Sequence, residues 1–316
     1  MIHCNVDFYK KEGEIFMLTG MKIAVIGGDA RQLEIVRKLT EQNALLSLIG
    51  FEQLDHAFTG AAKEKVDGVD FSKIDAIIIP VKGTTLNGQV DTIFSNEEVH
   101  LTKELLKKTP PHCVVYSGIS NAYLNSITKN ANRSLVQLFQ RDDVAILNSI
   151  PTVEGTIMMA IQHTDTTIHG SNIIVLGLGR VGMSVARTFH ALGAKVKVAA
   201  NTSEHLARII EMGLTPVHLD HLKEAVGDID ICINTIPHLV VTSTVIEKMP
   251  LHTLIIDLAS KPGGTDFQYA EKRGIKALLA PSLPGIVAPK TAGNILADVL
   301  SQLLHEQLQK GKEQSE

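Results

Sequence analysis

The chain has 316 residues, of which 44% are hydrophobic and 20% are charged, and its formal net charge at pH 7 is −4. A chain of this length usually folds as two domains, each large enough to bury a core of its own. Lys and Arg are dispersed and form no basic or aromatic platform, so we expect no nucleic acid among its partners. The low aromatic content suits sheets built from Val, Ile and Ala.

The cysteines and the N-terminus narrow the setting of the protein. Cys4, Cys113 and Cys232 share no metal-ligand spacing, so we predict reduced thiols and no metal site. No segment approaches the ~18 uninterrupted apolar residues of a membrane span, and the N-terminus has no signal-peptide pattern. These features predict a cytoplasmic protein that does not enter a membrane. Residues 1–20 lack a clear period and are interpreted as a peripheral N-terminal extension.

Apolar strands and amphipathic helices alternate through residues 21–148, a pattern typical of a parallel α/β domain. The first strand, KIAVI, ends in a Gly-Gly-Asp turn that opens a helix from Ala30 to about Gln42. A dinucleotide loop would need more glycine, so the turn is interpreted as part of a substrate site. We expect Gly27 and Gly28 to expose their N–H groups at the helix N-terminus and Arg31 to bind a carboxylate. Arg31 can equally be a surface residue of the first helical turn.

Polar loops follow the later strands of this domain. Lys82 lies after a strand predicted at Ile74–Ile79, and Ser117 and Asn121 lie after one predicted at Cys113–Tyr116. Open α/β sheets bind ligands at the carboxyl ends of their strands, so these three side chains are candidate substrate contacts. The alternatives are a solvated hairpin around Lys82 and a helix-capping role for Ser117.

A strand predicted at Ala145–Asn148 completes the first sheet. Ser149-Ile150-Pro151 is then expected to begin the helix that links the two domains, because proline is well tolerated in the first turn of a helix. The second domain is predicted to comprise this linker helix and a dinucleotide-binding region, residues 149–290.

The segment NIIVLGLGRVGMSVARTF, which begins at Asn172, contains G-x-G-x-x-G between a strand and a helix, and a second strand follows at Lys195–Ala200. In a dinucleotide site Gly177 permits the tight turn, Gly179 lets a pyrophosphate approach the backbone, and Gly182 lets the helix pack on the strand. This arrangement predicts a nicotinamide dinucleotide site. A purely structural glycine turn is the alternative.

Further cofactor contacts are expected around this motif. Arg180 and Val181 lie at the helix N-terminus, where N–H groups and the helix dipole favour phosphate. NAD-preferring sites usually carry Asp or Glu at the end of the second strand, where this chain has Asn201. Asn201, Thr202 and Ser203 offer neutral donors for a 2′-phosphate, which favours NADP as the cofactor and leaves NAD possible. Capping of the next helix by Thr202 or Ser203 is an alternative that is compatible with this role.

Two later strands, predicted at Ile229–Asn234 and Thr253–Asp257, end in short polar loops on the same side of the sheet. In cofactor domains such loops pass near the nicotinamide ribose, since they leave the carboxyl edge beside the switch point. The candidate contacts in these loops are Thr235, Ile236, Pro237, Ala259 and Ser260 for the cofactor and Lys261 for the substrate.

A final amphipathic helix is predicted from Thr291 to about Gln309, and residues 291–316 form this helix and a tail. We expect the helix to return to the first domain. The predicted fold is therefore α/β, with two Rossmann-like doubly wound parallel-sheet domains, a cleft between them and a C-terminal helix that returns to the first.

Four segments resemble a known family. KIAVIGGDARQLEIVRKL, GLGRVGMSVARTF, LASKPGGTDF and LPGIVAPKTAG are similar to the A subunit of bacterial dipicolinate synthase, and the resemblance extends from Met21 to about Leu304. It implies a nicotinamide-dependent, two-subunit enzyme of sporulating bacteria, located in the mother-cell cytoplasm. Such an enzyme makes dipicolinic acid from a dihydrodipicolinate-level intermediate of the lysine pathway. The family usually has Arg near position 201, so Asn201 departs from its pattern.

The resemblance also implies partners and site residues. The second component of the enzyme, its B subunit, resembles a flavoprotein, and a homo-oligomer of this chain is expected as well. The substrate carries two carboxylates, which the protein must hold while it presents one ring carbon to the nicotinamide. The substrate contacts predicted on this basis are Gly28, Arg31, Lys82, Ser117, Asn121, Lys261 and Thr291. Asp29 and Lys290 are the candidates for the general base.

Two other functions remain open from the sequence. The first is a different dehydrogenase of a small carboxylic acid on the same scaffold. Hydroxyacid dehydrogenases of this shape generally use a histidine after the last cofactor-domain strands, and this chain has none between His252 and His305. The second is a non-catalytic regulatory subunit that binds NADP, since a nucleotide site does not by itself establish hydride transfer.

Overall fold

The computed structural model describes residues 16–55 and 57–313. Its residues cluster into two compact units, and the chain passes twice between them. Unit 1 ends at Val144 and resumes at Gly293, whereas unit 2 is the continuous segment Ala145–Ala292. The first unit is therefore completed by the C-terminal end of the chain.

Six parallel strands form the sheet of unit 1, in the order β3-β2-β1-β4-β7-β8. The crossover from the β1–β2–β3 side to the β4–β7–β8 side makes the sheet doubly wound. β5 and β6 form a separate antiparallel pair. The strands of unit 1 are β1 (Lys22–Ile26), β2 (Leu45–Ile49), β3 (Ala61–Lys63), β4 (Ala76–Ile78), β5 (Gln89–Val90), β6 (Val99–His100), β7 (Val114–Ser117) and β8 (Ser134–Gln137).

Helices cover both faces of this sheet, which is why its central strands are apolar throughout. α1 (Ala30–Glu41) packs on one face, where Leu39 and the last helix of the chain share a core. α2 (Lys103–Lys108) and α3 (Ala122–Asn130) pack on the other face. The predicted extension, residues 1–20, lies mostly outside the described residues. Within it, Leu18 is fully buried and its N–H donates to the carbonyl of Gln42.

α4 (Asp142–His163) carries the chain from unit 1 into unit 2. The prediction of a strand at Ala145–Asn148 and a helix start at Ser149 is wrong, because the helix begins seven residues earlier and Pro151 lies inside it. The hydroxyls of Ser149 and Thr152 donate to the carbonyls of Ile146 and Asn148, which satisfies backbone groups around the proline. The helix therefore continues through a residue that usually ends one.

α4 is also the one helix, among the residues that the structure describes, whose length and composition would allow it to cross a membrane. Its most apolar window has a mean hydropathy of 1.5, and 39% of that window is buried in the protein. Core helices of water-soluble proteins meet the same two criteria. Val153 and Ala160 of α4 lie in the hydrophobic core of unit 2.

Unit 2 repeats the topology of unit 1 with six parallel strands in the order β11-β10-β9-β12-β13-β14. The predicted fold of two doubly wound parallel sheets is confirmed. The strands are β9 (Asn172–Leu176), β10 (Lys195–Ala200), β11 (Thr215–His218), β12 (Ile231–Asn234), β13 (Leu254–Asp257) and β14 (Lys276–Leu279). The helices are α5 (Arg180–Ala191), α6 (Ser203–Glu211), α7 (Leu222–Ala225), α8 (Ser243–Ile246), α9 (Phe267–Arg273) and α10 (Leu283–Val287).

α11 (Pro289–Glu313) returns the chain to unit 1, as predicted, and continues four residues beyond its expected end. Leu296, Leu300 and Leu304 pack into the core beneath α1. Near the other end of the helix, the side-chain amide of Gln307 donates to the carbonyl of Asp75 and accepts from the hydroxyl of Tyr116. The last helix is therefore an integral layer of the first unit.

Candidate functional site

The turn between β9 and α5 has the three glycines of the dinucleotide motif, and their surroundings differ. Gly177 has φ +94°, and a Cβ there would lie 2.7 Å from the Thr235 hydroxyl. A Cβ on Gly182 would meet the carbonyl oxygen of Gly177, so this glycine lets the helix approach the strand. Gly179 differs from both, because no atom lies within 4 Å of its hypothetical Cβ.

The space beside Gly179 indicates what the turn can bind. Its backbone is extended, with φ −78°, so neither the protein's packing nor its own conformation requires glycine at this position. Gly179 is also the N-cap of α5, and no side chain accepts a hydrogen bond from the first N–H groups of the helix. A helix N-terminus with unpaired donors and an open approach fits a pyrophosphate. The residues present therefore fit a dinucleotide at this turn.

The end of β10 lies beside this turn, where the N–H of Gly177 donates to the carbonyl of Ala199. Thr202 caps α6 by accepting from the N–H of His205, and Asn201, Thr202 and Ser203 are all exposed. The Glu204 carboxylate accepts from its own N–H and from the hydroxyl of Thr202, and these hydrogen bonds lower its pKa. A negative charge therefore lies on the first turn of α6, beside the neutral donors that the sequence predicts as 2′-phosphate contacts.

The opposite side is formed by the loops that follow β12 and β13. The Thr235 hydroxyl donates to the carbonyl of Leu176 at 2.7 Å, and Ile236 lies against Gly177. Two predicted cofactor contacts therefore form one wall of the glycine turn. Ala259 is buried with its N–H bonded to the Asp257 carboxylate, whereas Pro237 and Ser260 are exposed.

A second site lies in unit 1, at the carboxyl ends of β1 and β4. A pocket of about 200 Å³ is lined there by four of the predicted residues and by four that follow β4 or β5. The lining includes the cationic side chains of Arg31 and Lys82, which suits a small anion with more than one charge. The lining residues are Gly28, Asp29, Arg31, Pro80, Lys82, Asp91, Thr92 and Ile93.

Asp29 and Arg31 form an ion pair at the N-terminus of α1. Asp29 caps the helix by accepting from the N–H of Arg31, and its carboxylate also accepts from Nε at 2.9 Å and from Nη2 at 2.6 Å. Burial disfavours ionisation of Asp29, but the hydrogen bonds and the charge of Arg31 outweigh it and lower the pKa. Arg31 is buried and Asp29 is partly exposed. Asp29 therefore holds the guanidinium in place and is a weak base at neutral pH.

The expectation that Gly27 and Gly28 expose their N–H groups to a ligand is wrong. The N–H of Gly27 donates to the carbonyl of Ile49 at 2.8 Å, and that of Gly28 donates to the carbonyl of Asp91 at 2.8 Å. Ile93 returns a bond to the carbonyl of Gly28, so the segment after β5 runs beside the turn like a short strand. Gly28 lines the pocket with its backbone, but its donor is occupied.

Two other predicted substrate contacts have hydrogen bonds within their own domain. Ser117 is fully buried, and its hydroxyl donates to the carbonyl of Ile119 at 2.6 Å. Asn121 caps α3 by accepting from the N–H of Leu124, and its amide donates to the carbonyl of Thr84. Neither lines the pocket of unit 1. The capping alternative that the sequence offered for Ser117 is wrong, because Asn121 caps α3.

Lys261, Lys290 and Thr291 belong to unit 2 and are exposed there. Lys261 is on the loop after β13, and the other two are in the first turn of α11. Lys82 is in unit 1, where its ammonium lies 3.7 Å from the Asp91 carboxylate. The structure thus brings Asp29, Arg31 and Lys82 into one pocket and assigns the two other predicted lysines to the unit that carries the glycine turn.

Comparison with known proteins agrees with this geometry. Residues 22–139 match the model of the N-terminal domain of the dipicolinate synthase A subunit, and residues 145–315 match that of the alanine dehydrogenase/PNT C-terminal domain. The A subunit of dipicolinate synthase from Bacillus subtilis strain 168 is 68% identical over 297 residues, which cover 94% of this chain and all of the relative. The chain belongs to the family of dipicolinate synthase A subunits.

Solved structures of the same family have the same fold. The crystal structure of the dipicolinate synthase A subunit from Bacillus halodurans superposes with a TM-score of 0.90 at 66% identity, covering 91% of this chain and 99% of that one. The corresponding crystal structure from Bacillus subtilis gives a TM-score of 0.91 at 67% identity, covering 94% of this chain and all of that one. The resemblance recognised in the sequence is confirmed.

In this member of the dipicolinate synthase family, sequence reasoning missed four residues of the unit 1 pocket, of which Pro80 lies just after β4. The other three, Asp91, Thr92 and Ile93, lie in the loop for which a solvated hairpin was the alternative. Their position depends on the pairing of Thr92 with Gly28, 64 residues earlier, which no local pattern reveals. The available signal was the Gly27-Gly28 pair, since a close backbone neighbour explains two successive glycines.

Proposed function

We propose that this chain is the nicotinamide-binding subunit of a dipicolinate synthase, and that it oxidises a dihydrodipicolinate-level intermediate of the lysine pathway to dipicolinate. The observation that carries this proposal is the β9–α5 turn, where Gly179 faces open space and α5 begins without a side-chain cap. Such a turn suits a dinucleotide phosphate, and oxidation of the substrate requires a hydride acceptor. The relative's name supplies the product.

For this oxidation the protein mainly has to bind the substrate and the cofactor and orient them. Loss of one hydride and one proton from a dihydropyridine dicarboxylate yields an aromatic ring, so the substrate itself supplies much of the driving force. A bound nicotinamide would accept the hydride. The first turn of α5 would hold the pyrophosphate, and the loops after β12 and β13 would hold the nicotinamide half.

Arg31 and Lys82 are the proposed partners of the two substrate carboxylates. Both line the pocket of unit 1, and Asp29 fixes one edge of the Arg31 guanidinium through Nε and Nη2. The Nη1 edge makes no hydrogen bond among the described residues, which leaves donors for a carboxylate. A guanidinium held in this way loses little entropy when it binds.

The proton must pass to another group than Asp29. Its low pKa and its ion pair with Arg31 make Asp29 a positioning residue in this proposal. Lys290, in the first turn of α11, is the remaining candidate of the two that the sequence suggests. Its replacement by Met is expected to lower kcat and to leave the affinity for the cofactor unchanged.

We further propose NADP as the cofactor, with NAD as the alternative, because this chain has Asn201 where NAD-preferring sites usually have Asp or Glu. The relatives are named as one of the subunits of a synthase, which supports a second, different polypeptide in the enzyme. We propose that this partner is the flavoprotein-like B subunit. The mother-cell cytoplasm of a sporulating bacterium is the proposed location, and the chain is proposed to form a homo-oligomer.

The decisive experiment measures product formation by the purified chain, alone and with the B subunit, using freshly generated dihydrodipicolinate and NADP. Reduced nicotinamide and dipicolinate should appear in equal amounts, because one hydride is transferred for each ring formed. Binding of NADP without turnover in either mixture would contradict the proposal and favour a regulatory role.

Lys82→Gln tests the substrate site without a risk to folding, because Lys82 is exposed and only weakly paired. The apparent KM for the dicarboxylate should rise about tenfold, the typical value of one charge-assisted hydrogen bond, while the Kd for NADP stays the same. Arg37→Gln is the matched control, since Arg37 lies on α1 and pairs only with side chains outside the pocket. An equal effect of both variants would contradict the assignment.

A further inference from the structure

Asp257, the last residue of β13, is an unusual feature of the cofactor unit. It is completely buried, and no salt bridge joins it to Lys, Arg or His within the part of the chain that the structure describes. Burying an isolated carboxylate opposes folding, so its presence requires compensation. The proposed function assigns no role to this residue.

Four donors surround the Asp257 carboxylate, an arrangement that fits its ionised form. The N–H of Ala259 and the side-chain amide of Asn234 donate to Oδ1, at 3.0 and 3.1 Å. The N–H of Gly264 and the hydroxyl of Thr265 donate to Oδ2, at 2.8 and 2.6 Å. Three of these groups can only donate in this arrangement, because the Asn234 oxygen accepts from the N–H of Ile236. A carboxyl group that accepts at both oxygens is satisfied as the anion.

The same bonds join the two loops at the carboxyl edge of the sheet. Asn234 and Asp257 are register partners at the ends of β12 and β13. Through them the loop after β12 is tied to the loop that ends at Thr265. The carbonyl of Gly264 then accepts from the N–H groups of Val240 and Val241. The anion is thus held at the base of both loops.

The topology places these loops on the nicotinamide side. The strand order reverses direction between β9 and β12, so a dinucleotide with its pyrophosphate at the β9–α5 turn extends one half over β10 and the other over β12 and β13. Asn201 directly follows β10, on the side of the adenosine half. The buried anion therefore lies beneath the half of the site where the cofactor changes its charge.

We propose that Asp257 is a fixed counter-charge which makes this unit bind the oxidised, positively charged nicotinamide more tightly than the reduced, neutral one. A charge held by preorganised dipoles in a buried position is weakly screened, so it acts over several ångströms. The anion favours the cofactor state that an oxidising enzyme must bind first. This inference rests on the proposed function for the cofactor's identity, but not on the identity of the substrate.

The test compares the dissociation constants of the full chain for NADP⁺ and NADPH, measured by calorimetry without substrate. The ratio Kd(reduced)/Kd(oxidised) isolates the nicotinamide charge, because the phosphate and adenosine contributions cancel. We expect this ratio to exceed one in the wild-type chain and to fall about fivefold in Asp257→Asn, the effect of one weakly screened charge at moderate distance. A ratio that Asp257→Asn leaves unchanged would overturn the proposal.

Thr265→Val is the matched control, because it removes one donor and loosens the same loop while it keeps the carboxylate. In this variant the dissociation constants for NADP⁺ and NADPH should change by the same factor, so their ratio should stay at the wild-type value. If Asp257→Asn does not fold, the ratio Kd(reduced)/Kd(oxidised) of the wild-type chain is the test. A ratio of one or below overturns the proposal. A ratio above one that does not change when salt is added supports a buried charge. Failure of both NADP⁺ and NADPH to bind would instead contradict the proposed function.

Discussion

The sheets of the two units have the same strand order, and a glycine turn precedes α1 in unit 1 and α5 in unit 2. The two turns differ in the atoms that contact them. In unit 1 the carbonyl of Asp91 occupies the N–H of Gly28, and the side chain of Asp29 caps the helix. In unit 2 no side chain caps α5, and open space surrounds Gly179. One turn is closed by the chain itself, and the other is left open for a ligand.

This difference determines what each glycine turn is able to bind. Backbone donors at a helix N-terminus bind phosphate only while they are unpaired. In unit 1 the N–H of Gly28 is paired with Asp91 and that of Arg31 with Asp29, so the proposed site there relies on the side chains of Arg31 and Lys82. The presence of a glycine turn is thus a weaker guide than the question of which atoms already contact it.

The closed turn can be tested with Gly27→Ala. Gly27 has φ +62°, and a Cβ there would lie 2.6 Å from the carbonyl oxygen of Asp91. The variant should lose about 3 kcal/mol of unfolding free energy, from the left-handed conformation and the clash with a backbone neighbour. Gly20→Ala is the control, since Gly20 has φ +87° and no atom within 4 Å of its hypothetical Cβ. Equal losses in urea unfolding would show that the Asp91 contact is unimportant.

The open turn predicts the opposite pattern for Gly179→Val. Its Cβ would meet no protein atom and its backbone is extended, so the unfolding free energy should change by less than about 1 kcal/mol. The same side chain would occupy the space proposed for the pyrophosphate, so the affinity for NADP should fall about thirtyfold, or about 2 kcal/mol. Calorimetric titration measures the loss, and an unchanged Kd would mean that the turn does not bind the cofactor.

A third prediction concerns the cap that closes the turn of unit 1. Asp29→Asn keeps a capping oxygen but removes the charge that pairs with Arg31, and partial exposure limits the loss to about 1.5 kcal/mol at pH 7. Because the pKa of Asp29 is lower in the folded state, this stabilisation is complete above the unfolded pKa of about 4 and is lost as pH falls through the folded value. Wild-type and variant stabilities should therefore converge in acid. A gap that persists there would point to a steric cause.

The smallest expected effect lies at the proposed adenosine side of the open turn. The Glu204 carboxylate occupies the first turn of α6 and should oppose a 2′-phosphate. Glu204→Gln is expected to tighten NADP about threefold and to leave NAD unchanged, because only NADP carries the extra charge. Glu211→Gln removes the same charge at the other end of α6 and serves as the control. If Glu204→Gln leaves the ratio of the NADP and NAD dissociation constants unchanged, Glu204 does not lie near the bound 2′-phosphate.

The sequence was sufficient for most of the fold, because buried parallel strands such as KIAVI and NIIVL are continuous apolar runs. It failed at β3, β8 and β11, three of the four outer strands of the two sheets, which are short and partly polar. Edge strands bury less apolar surface, so their pattern is weak. The sequence prediction also failed at α4, because Pro151 was assigned to the first turn of a helix but lies inside one.

The site was predictable in the same uneven way. The three glycine roles followed from local spacing, and the contacts of Gly177 and Gly182 agree with them. The Asp29–Arg31 pair lies within one turn, but its effect on the Asp29 pKa depends on burial that the sequence does not show. The contact of Asp91 with Gly28 and the bond of Asn234 to Asp257 depend on neighbours distant in the chain, so only the structure reveals them.

The return of α11 to unit 1 has a consequence for biosynthesis. Unit 2 is a continuous segment, whereas the core of unit 1 contains Leu296 and Leu300 from the end of the chain. During translation the ribosome therefore releases all of unit 2 before it supplies the last layer of unit 1. A nascent chain that stops before α11 leaves the apolar face of α1 uncovered, so unit 1 is the part that chaperones and proteases would recognise as incomplete.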